Sequence, residues 1–114
     1  MTGIAKMARD DRYMWLMVMF DLPVKTKTER RDATRFRSFL KSDGYDMIQY
    51  SIYVRVCRGE AGRRKHEDRV RKNLPPKGSV RCLVITHAQY ARMSFLVGQK
   101  RSQEQASTEQ MLLL

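Results

Sequence analysis

Met14-Trp15-Leu16-Met17-Val18-Met19-Phe20-Asp21-Leu22-Pro23 is the stretch on which the fold turns. Seven consecutive apolar residues fit a strand buried on both faces, and the chain leaves that strand through a carboxylate and a proline. A carboxylate at the carboxyl end of a buried strand sits where sheets usually hold ligands, which makes Asp21 a candidate for binding or catalysis. Its other reading is a turn former ahead of Pro23. The remainder of the chain favours the first, because it is built to hold phosphates.

The chain has 114 residues, enough for one small core and one domain. Its 23 Lys and Arg outnumber 12 Asp and Glu, for a net charge of +11, so an anionic partner is the first expectation. The charge is unevenly placed. Residues 22–44 hold seven basic and three acidic side chains and residues 58–78 hold eight and three, whereas residues 45–57 hold one of each. Basicity is thus concentrated in the connections between strand-like stretches.

No stretch reaches the ~18 apolar residues of a membrane span. Asp10 and Asp11, and the Asp-Leu-Pro that follows the apolar run, argue against a signal peptide, so a cytoplasmic protein is expected. Cys57 and Cys82 lack metal-ligand spacing and read as buried free thiols.

Thr26-Lys27-Thr28-Glu29 is a capping box and Gly44 a left-handed stop, which predicts a helix of about 17 residues between them. Met47 to Cys57 is dense in β-branched and aromatic residues and too long for one typical strand, which predicts two antiparallel strands turning near Tyr50-Ser51. A second helix is predicted over residues 60–74, with His66, Val70 and Leu74 inward. Val80 to Thr86 reads as a fourth strand and Met93 to Val97 as a short fifth. The expected class is α+β, ferredoxin-like βαββαβ with an extra C-terminal strand. The domain is expected over residues 14–97, between flexible tails at 1–13 and 98–114.

At 100° per residue the first helix puts Ala33, Phe36, Phe39 and Leu40 on one face and Lys27, Arg30, Arg31, Arg35, Arg37 and Lys41 on the other. Asp32 and Asp43 dilute that cationic face only toward its edges, so it suits a phosphate backbone better than plain solvent. Arg63 and Arg64 belong to a second basic helix, less one-sided because Glu67 and Asp68 share it. No device for reading bases is present: Ser51-Ile52-Tyr53-Val54-Arg55-Val56 lacks the glycine and aromatics of an RNA-recognition strand. There is no phosphate-binding glycine loop, serine elbow or paired-carboxylate motif, and His66 and His87 suit structural roles.

Phe20-Asp21-Leu22-Pro23, Glu29-Arg30-Arg31, Gly44-Tyr45, Ile48-Gln49-Tyr50-Ser51-Ile52-Tyr53 and Gln89-Tyr90-Ala91-Arg92-Met93 occur in an order and spacing that resembles the CRISPR-associated protein 2 family. The likeness covers roughly residues 14–100 and is closest to members found beside type II systems. It implies a homodimer in which Asp21 faces its twin across the two-fold axis, so that symmetry supplies the carboxylate pair that Mg²⁺ accepts. It further implies the small subunit of the spacer-acquisition complex, a scaffold that bridges dimers of the catalytic integrase subunit and holds duplex prespacer DNA.

Members are also described as metal-dependent endonucleases acting on RNA or DNA, which gives the alternative: phosphodiester hydrolysis at the Asp21 pair, with Tyr53 at a position where the family carries Phe or Tyr. Several such members have an Arg where this chain has Met47, and that difference weighs toward the scaffold. The expected contacts to nucleic acid are Lys27, Arg30, Arg31, Arg35, Arg37, Lys41, Arg63 and Arg64. Residues 93–97 are expected to complete the dimer, and Met111 to Leu114 to dock on it or on the integrase subunit.

Overall fold

The apolar run forms the inner strand its composition requires. β1 spans Tyr13–Asp21 and pairs antiparallel on one side with β3 (Ile52–Arg58) and on the other with β4 (Ser79–Thr86). The structure, a computed structural model, describes residues 12–98. The tails expected at either end, and Met111 to Leu114, lie outside those residues except for Arg12, Gly98 and Tyr13, which belongs to β1. With β2 (Asp46–Gln49) on the far side of β3, the sheet order is β2-β3-β1-β4, the ferredoxin-like arrangement expected.

Alternation along β1 divides the sheet into two apolar faces. Leu16, Val18 and Phe20 point toward two helices, α1 (Lys27–Ser42) and α2 (Gly59–Arg71), and form the main core with Phe36, Leu40, Tyr45, Tyr53, Cys57 and Val70. Trp15 and Met17 point the other way, where a second cluster gathers Val54 and Tyr90 with the half-buried Met19, Ile48, Ile52, Val56 and Ile85. The helix side is roofed by 29 residues of helix, the outer side by a five-residue helix, α3 (His87–Ala91).

Both termini of α1 are as the sequence specifies. The Thr26 hydroxyl accepts from the Glu29 amide at 3.0 Å, and the Glu29 carboxylate accepts from the Thr26 amide at 3.0 Å. Gly44 takes φ +90° just beyond the helix end, a conformation that costs other residues about 1–2 kcal/mol. The β2–β3 turn falls at Tyr50-Ser51 as expected. It is made without glycine: Ser51 itself adopts φ 72°, and the pairing slips between Met47 and Gln49.

Two expectations are corrected. α2 stops at Arg71, ahead of Pro75-Pro76, so Leu74 lies outside the helix and is exposed rather than inward. The strand expected over residues 93–97 is absent. Those residues are irregular, and just ahead of them stands α3, opened by a second capping box in which Thr86 and Gln89 satisfy each other's amides. This turn carries the chain across the outer face instead of along an edge. Met93 and Phe95 there line a shallow cavity of about 200 Å³ with Met17, Ile48, Gln49 and Ile52, while Leu96 and Val97 stay exposed. Among the described residues no helix is long and apolar enough to cross a membrane.

Candidate nucleic-acid interface and metal site

Burial of Ala33, Phe36 and Leu40 fixes the roll of α1 and therefore which side chains face water. Lys27, Arg31 and Arg35 are exposed and succeed one another at i, i+4 and i+8, a row about 12 Å long on one side of the helix. With Arg30 and Thr34 they line a shallow, open depression. Lys27, Arg31, Arg35 and Lys41 make no ion pair among the described residues. Arg30, also exposed, is tied back to the preceding loop, its guanidinium donating to the Val24 and Lys25 carbonyls at 3.2 and 3.0 Å.

Arg37 departs from expectation. It sits at the margin of the buried stripe, next to Phe36, and is half-buried: its guanidinium donates to the Ser51 hydroxyl at 2.8 Å and stacks 3.9 Å from the Tyr50 ring centre and 4.9 Å from that of Phe20. Arg37 is therefore a clamp between α1 and the β2–β3 turn, not a member of the open row. Arg63 is corrected for a different reason. Only 19% of its side chain is exposed, and it is paired to both Glu60 and Glu67 of its own helix, the latter at 3.0 Å. Arg71 is likewise held by Glu67 and Asp68 at 2.9 and 2.8 Å. Arg64 remains open, with its Nε 3.9 Å from Glu60. Among the described residues of the two basic helices, α1 thus carries most of the exposed cations without an ion pair, with Lys65 on α2.

A polar cluster that the sequence did not reveal fastens the two basic helices together. Asp43, taken from its position as an edge charge of α1, caps the helix and turns inward, with 5% of its side chain exposed. Its carboxylate meets Arg69 Nε at 3.2 Å and lies 3.5 Å from His66 Nδ1 on α2, while Arg55 of β3 donates to its backbone carbonyl. Burial holds the His66 imidazole below its ordinary pKa, Arg55 adding to the effect and Asp43 opposing it. Burial also pushes up the phenol of Tyr45 and the thiols of Cys57 and Cys82, which suits structural groups rather than nucleophiles.

Asp21 ends β1 and is exposed. By the alternation of the strand it lies on the outer face, with Trp15, Met17 and Met19. Its neighbour across the sheet is Ser79, and Gly78 beside it takes φ +96°. A Cβ on Gly78 would come 2.6 Å from the Asp21 carbonyl oxygen and 2.8 Å from Leu22 Cδ2. Gly78→Ala is expected to cost roughly 2 kcal/mol or more, from the left-handed backbone and the clash together. In a domain of this size that lowers Tm by roughly 10 °C, which a thermal melt followed by circular dichroism would register.

Tyr53, the weaker catalytic candidate, lies in the core: it is 1% exposed, faces the helices and stacks on Phe20 at 5.7 Å. Met47 packs against the same core. Among the described residues no three His, Cys, Asp or Glu side chains gather as metal ligands. Among the described residues, Asp21 is the carboxylate that ends the central strand β1. A hard cation such as Mg²⁺ takes one or two carboxylates with waters, so Asp21 fits such a site best when a second chain brings its own.

Comparison with known proteins places these features in a group. The model of the family described as CRISPR associated protein Cas2 matches residues 14–93. A protein of Acidovorax ebreus (strain TPSY) named CRISPR-associated endoribonuclease Cas2 is 50% identical over 91 residues, covering 80% of this chain and 89% of that protein. One of the same name from Ligilactobacillus salivarius (strain UCC118) is 44% identical over 101 residues, 89% of this chain and all of the relative. Among solved structures, one described as the crystal structure of cas2 superposes with a TM-score of 0.55 at 19% identity, covering 79% of this chain and 92% of its own, and supports the fold.

Proposed function

Because this chain belongs to the CRISPR-associated protein Cas2 family, we propose that it acts as the dimeric architectural subunit of spacer acquisition in the cytoplasm, bridging dimers of the catalytic integrase subunit and holding duplex prespacer DNA by its backbone. The observation that carries this reading is the unpaired row Lys27, Arg31, Arg35 on α1, joined by Lys41 and Arg30. Cations spaced along one rigid element and free of carboxylate partners suit a polyanion, and phosphate contacts need no base-reading groups. The apolar outer face, with Leu83 and Phe95 about half exposed, suits burial against a second copy of the chain.

A second reading is favoured by one observation, the exposed Asp21 at the end of β1 on that same face. In a dimer closed through the outer faces, two Asp21 carboxylates would hold one Mg²⁺, and the chain would be an endonuclease; its relatives are named endoribonucleases. The metal would supply positive charge to a phosphodiester. Asp21 of each chain would hold the ion, while Tyr53 lies buried in the core away from that face.

Mixing the protein with integrase subunit and duplex DNA, followed by size exclusion with light scattering, tests the first reading. A complex holding two copies of this chain between integrase dimers, formed equally on duplexes of unrelated sequence, is the expected result. Failure to join integrase and DNA, together with Mg²⁺-dependent cleavage by the isolated protein, would favour the second.

A further inference from the structure

The turn between β2 and β3 is a two-residue connection that calls for a left-handed residue, and Ser51 supplies it without glycine. Ser51 holds φ 72°, a conformation unfavourable for a residue with a Cβ, and is pinned there by the Phe20 amide, which donates to its carbonyl at 3.1 Å. Its hydroxyl accepts from Arg37, whose guanidinium lies over the Phe20 ring and against one face of Tyr50. Tyr50 itself is 74% exposed, the most exposed aromatic ring among the described residues. Arg37 has no carboxylate partner among those residues, and its Nη1 is buried without a hydrogen-bond acceptor. An aromatic ring is thus held rigidly outward, with a cation against one side and its other side in water.

The position of this pair on α1 gives the exposed ring a context. Arg30, Arg37 and Lys41 follow one another at i, i+7 and i+11, along the edge of the helix that borders the sheet. The ring therefore stands at the margin of the cationic surface, on the side of the β1 carboxyl end where Phe20 and Asp21 lie. A flat hydrophobic ring beside phosphate-binding cations has the chemistry of a stacking platform: any nucleobase presents a π-face to it, and Arg37 adds attraction for the flanking phosphate. Bases within a duplex are already stacked on each other, so the base that fits is an unpaired one.

We infer that Tyr50, braced by Arg37 and Ser51, stacks an unpaired nucleobase where a duplex bound along α1 gives way to single strand. This rests on the proposal that the chain binds duplex DNA through α1, and the test keeps the two apart. The full chain is titrated into a blunt duplex and into the same duplex carrying short single-stranded ends with 2-aminopurine as the first unpaired base. The wild type is expected to bind the tailed duplex about 5-fold to 100-fold more tightly than the blunt one and to quench the 2-aminopurine. Tyr50→Ala should abolish that gain and the quenching while leaving blunt-duplex affinity unchanged and lowering the thermal melt by only about 5 °C, from the lost contact with Arg37, and Tyr50→Trp should restore both the gain and the quenching.

A wild type that binds the two duplexes equally, or a Tyr50→Ala variant that keeps the gain, overturns the platform and leaves duplex binding standing. A wild type that binds neither duplex overturns the α1 proposal, and the platform falls with it. If dimerisation or a protein partner covers Tyr50 instead, Tyr50→Ala will change the oligomeric state with no effect specific to tails, which also overturns the inference.

Discussion

Asp21→Ala is expected to abolish any Mg²⁺-dependent phosphodiester cleavage by the purified protein, a loss of about 10³-fold or more if the metal contributes several kcal/mol to the transition state. One substitution per chain removes both carboxylates of a symmetric site. It removes nothing from the core, because Asp21 is exposed at the end of β1, and nothing from the cationic row on α1. Acquisition of new spacers by cells carrying the variant is therefore expected to persist if the chain is a scaffold. Loss of acquisition by a variant that remains folded and dimeric would instead assign the work to the carboxylates. Asp21→Asn, which keeps shape and removes charge, should behave as Asp21→Ala does.

Reversing two charges of the open row gives the second large effect. Arg31→Glu with Arg35→Glu removes two phosphate contacts, each of which accounts for about 0.9 in the dependence of log K on log salt, so the slope should flatten by about 1.8 per chain. At 0.1 M salt the affinity should fall on the order of 50-fold, and by the same factor on duplexes of unrelated sequence. Arg63→Gln is the internal control. Its guanidinium is already committed to Glu60 and Glu67, so the salt slope should scarcely change even though α2 loses two ion pairs. An unchanged slope for the double variant, or an effect confined to one sequence, would remove α1 from the interface.

How far the sequence could be read depended on the range of the forces involved. β1, the capped start of α1, the stop at Gly44 and the turn at Tyr50-Ser51 are all written in neighbouring residues, and each formed where expected. The exposed members of the α1 row follow from helical period and needed only the buried stripe of Ala33, Phe36 and Leu40 as reference. Arg37 was misjudged because at the margin of that stripe a long side chain can turn either way. What it turned toward, Tyr50 and Ser51, lies a dozen residues on and across a strand boundary.

Asp43 was misjudged similarly, since its partners His66 and Arg69 belong to another helix. α3 did carry a signal, Thr86 followed by Gln89, but five residues are too few for a periodic pattern to emerge. Met93 to Val97 has the composition of a strand. Composition cannot tell a strand from an apolar segment laid across a sheet, because the difference is whether an edge stands beside it.

The cover over the outer face has its own thermodynamic meaning. A five-residue helix has no stability in isolation, so α3 persists through what it rests on: Tyr90 stacked on Trp15 at 4.0 Å, and the Trp15 indole donating to His87 Nδ1 at 3.1 Å. Undoing those contacts lifts one latch and leaves the pairings of β1 with β3 and β4, and the core beneath the long helices, untouched. Residues 87–98 are therefore expected to change their path through a local excursion that undoes these contacts and the packing of Met93 and Phe95, at a cost below that of global unfolding. The domain thus has one side sealed for as long as it is folded and another it can open while folded, and the carboxylate of Asp21 belongs to the side that opens.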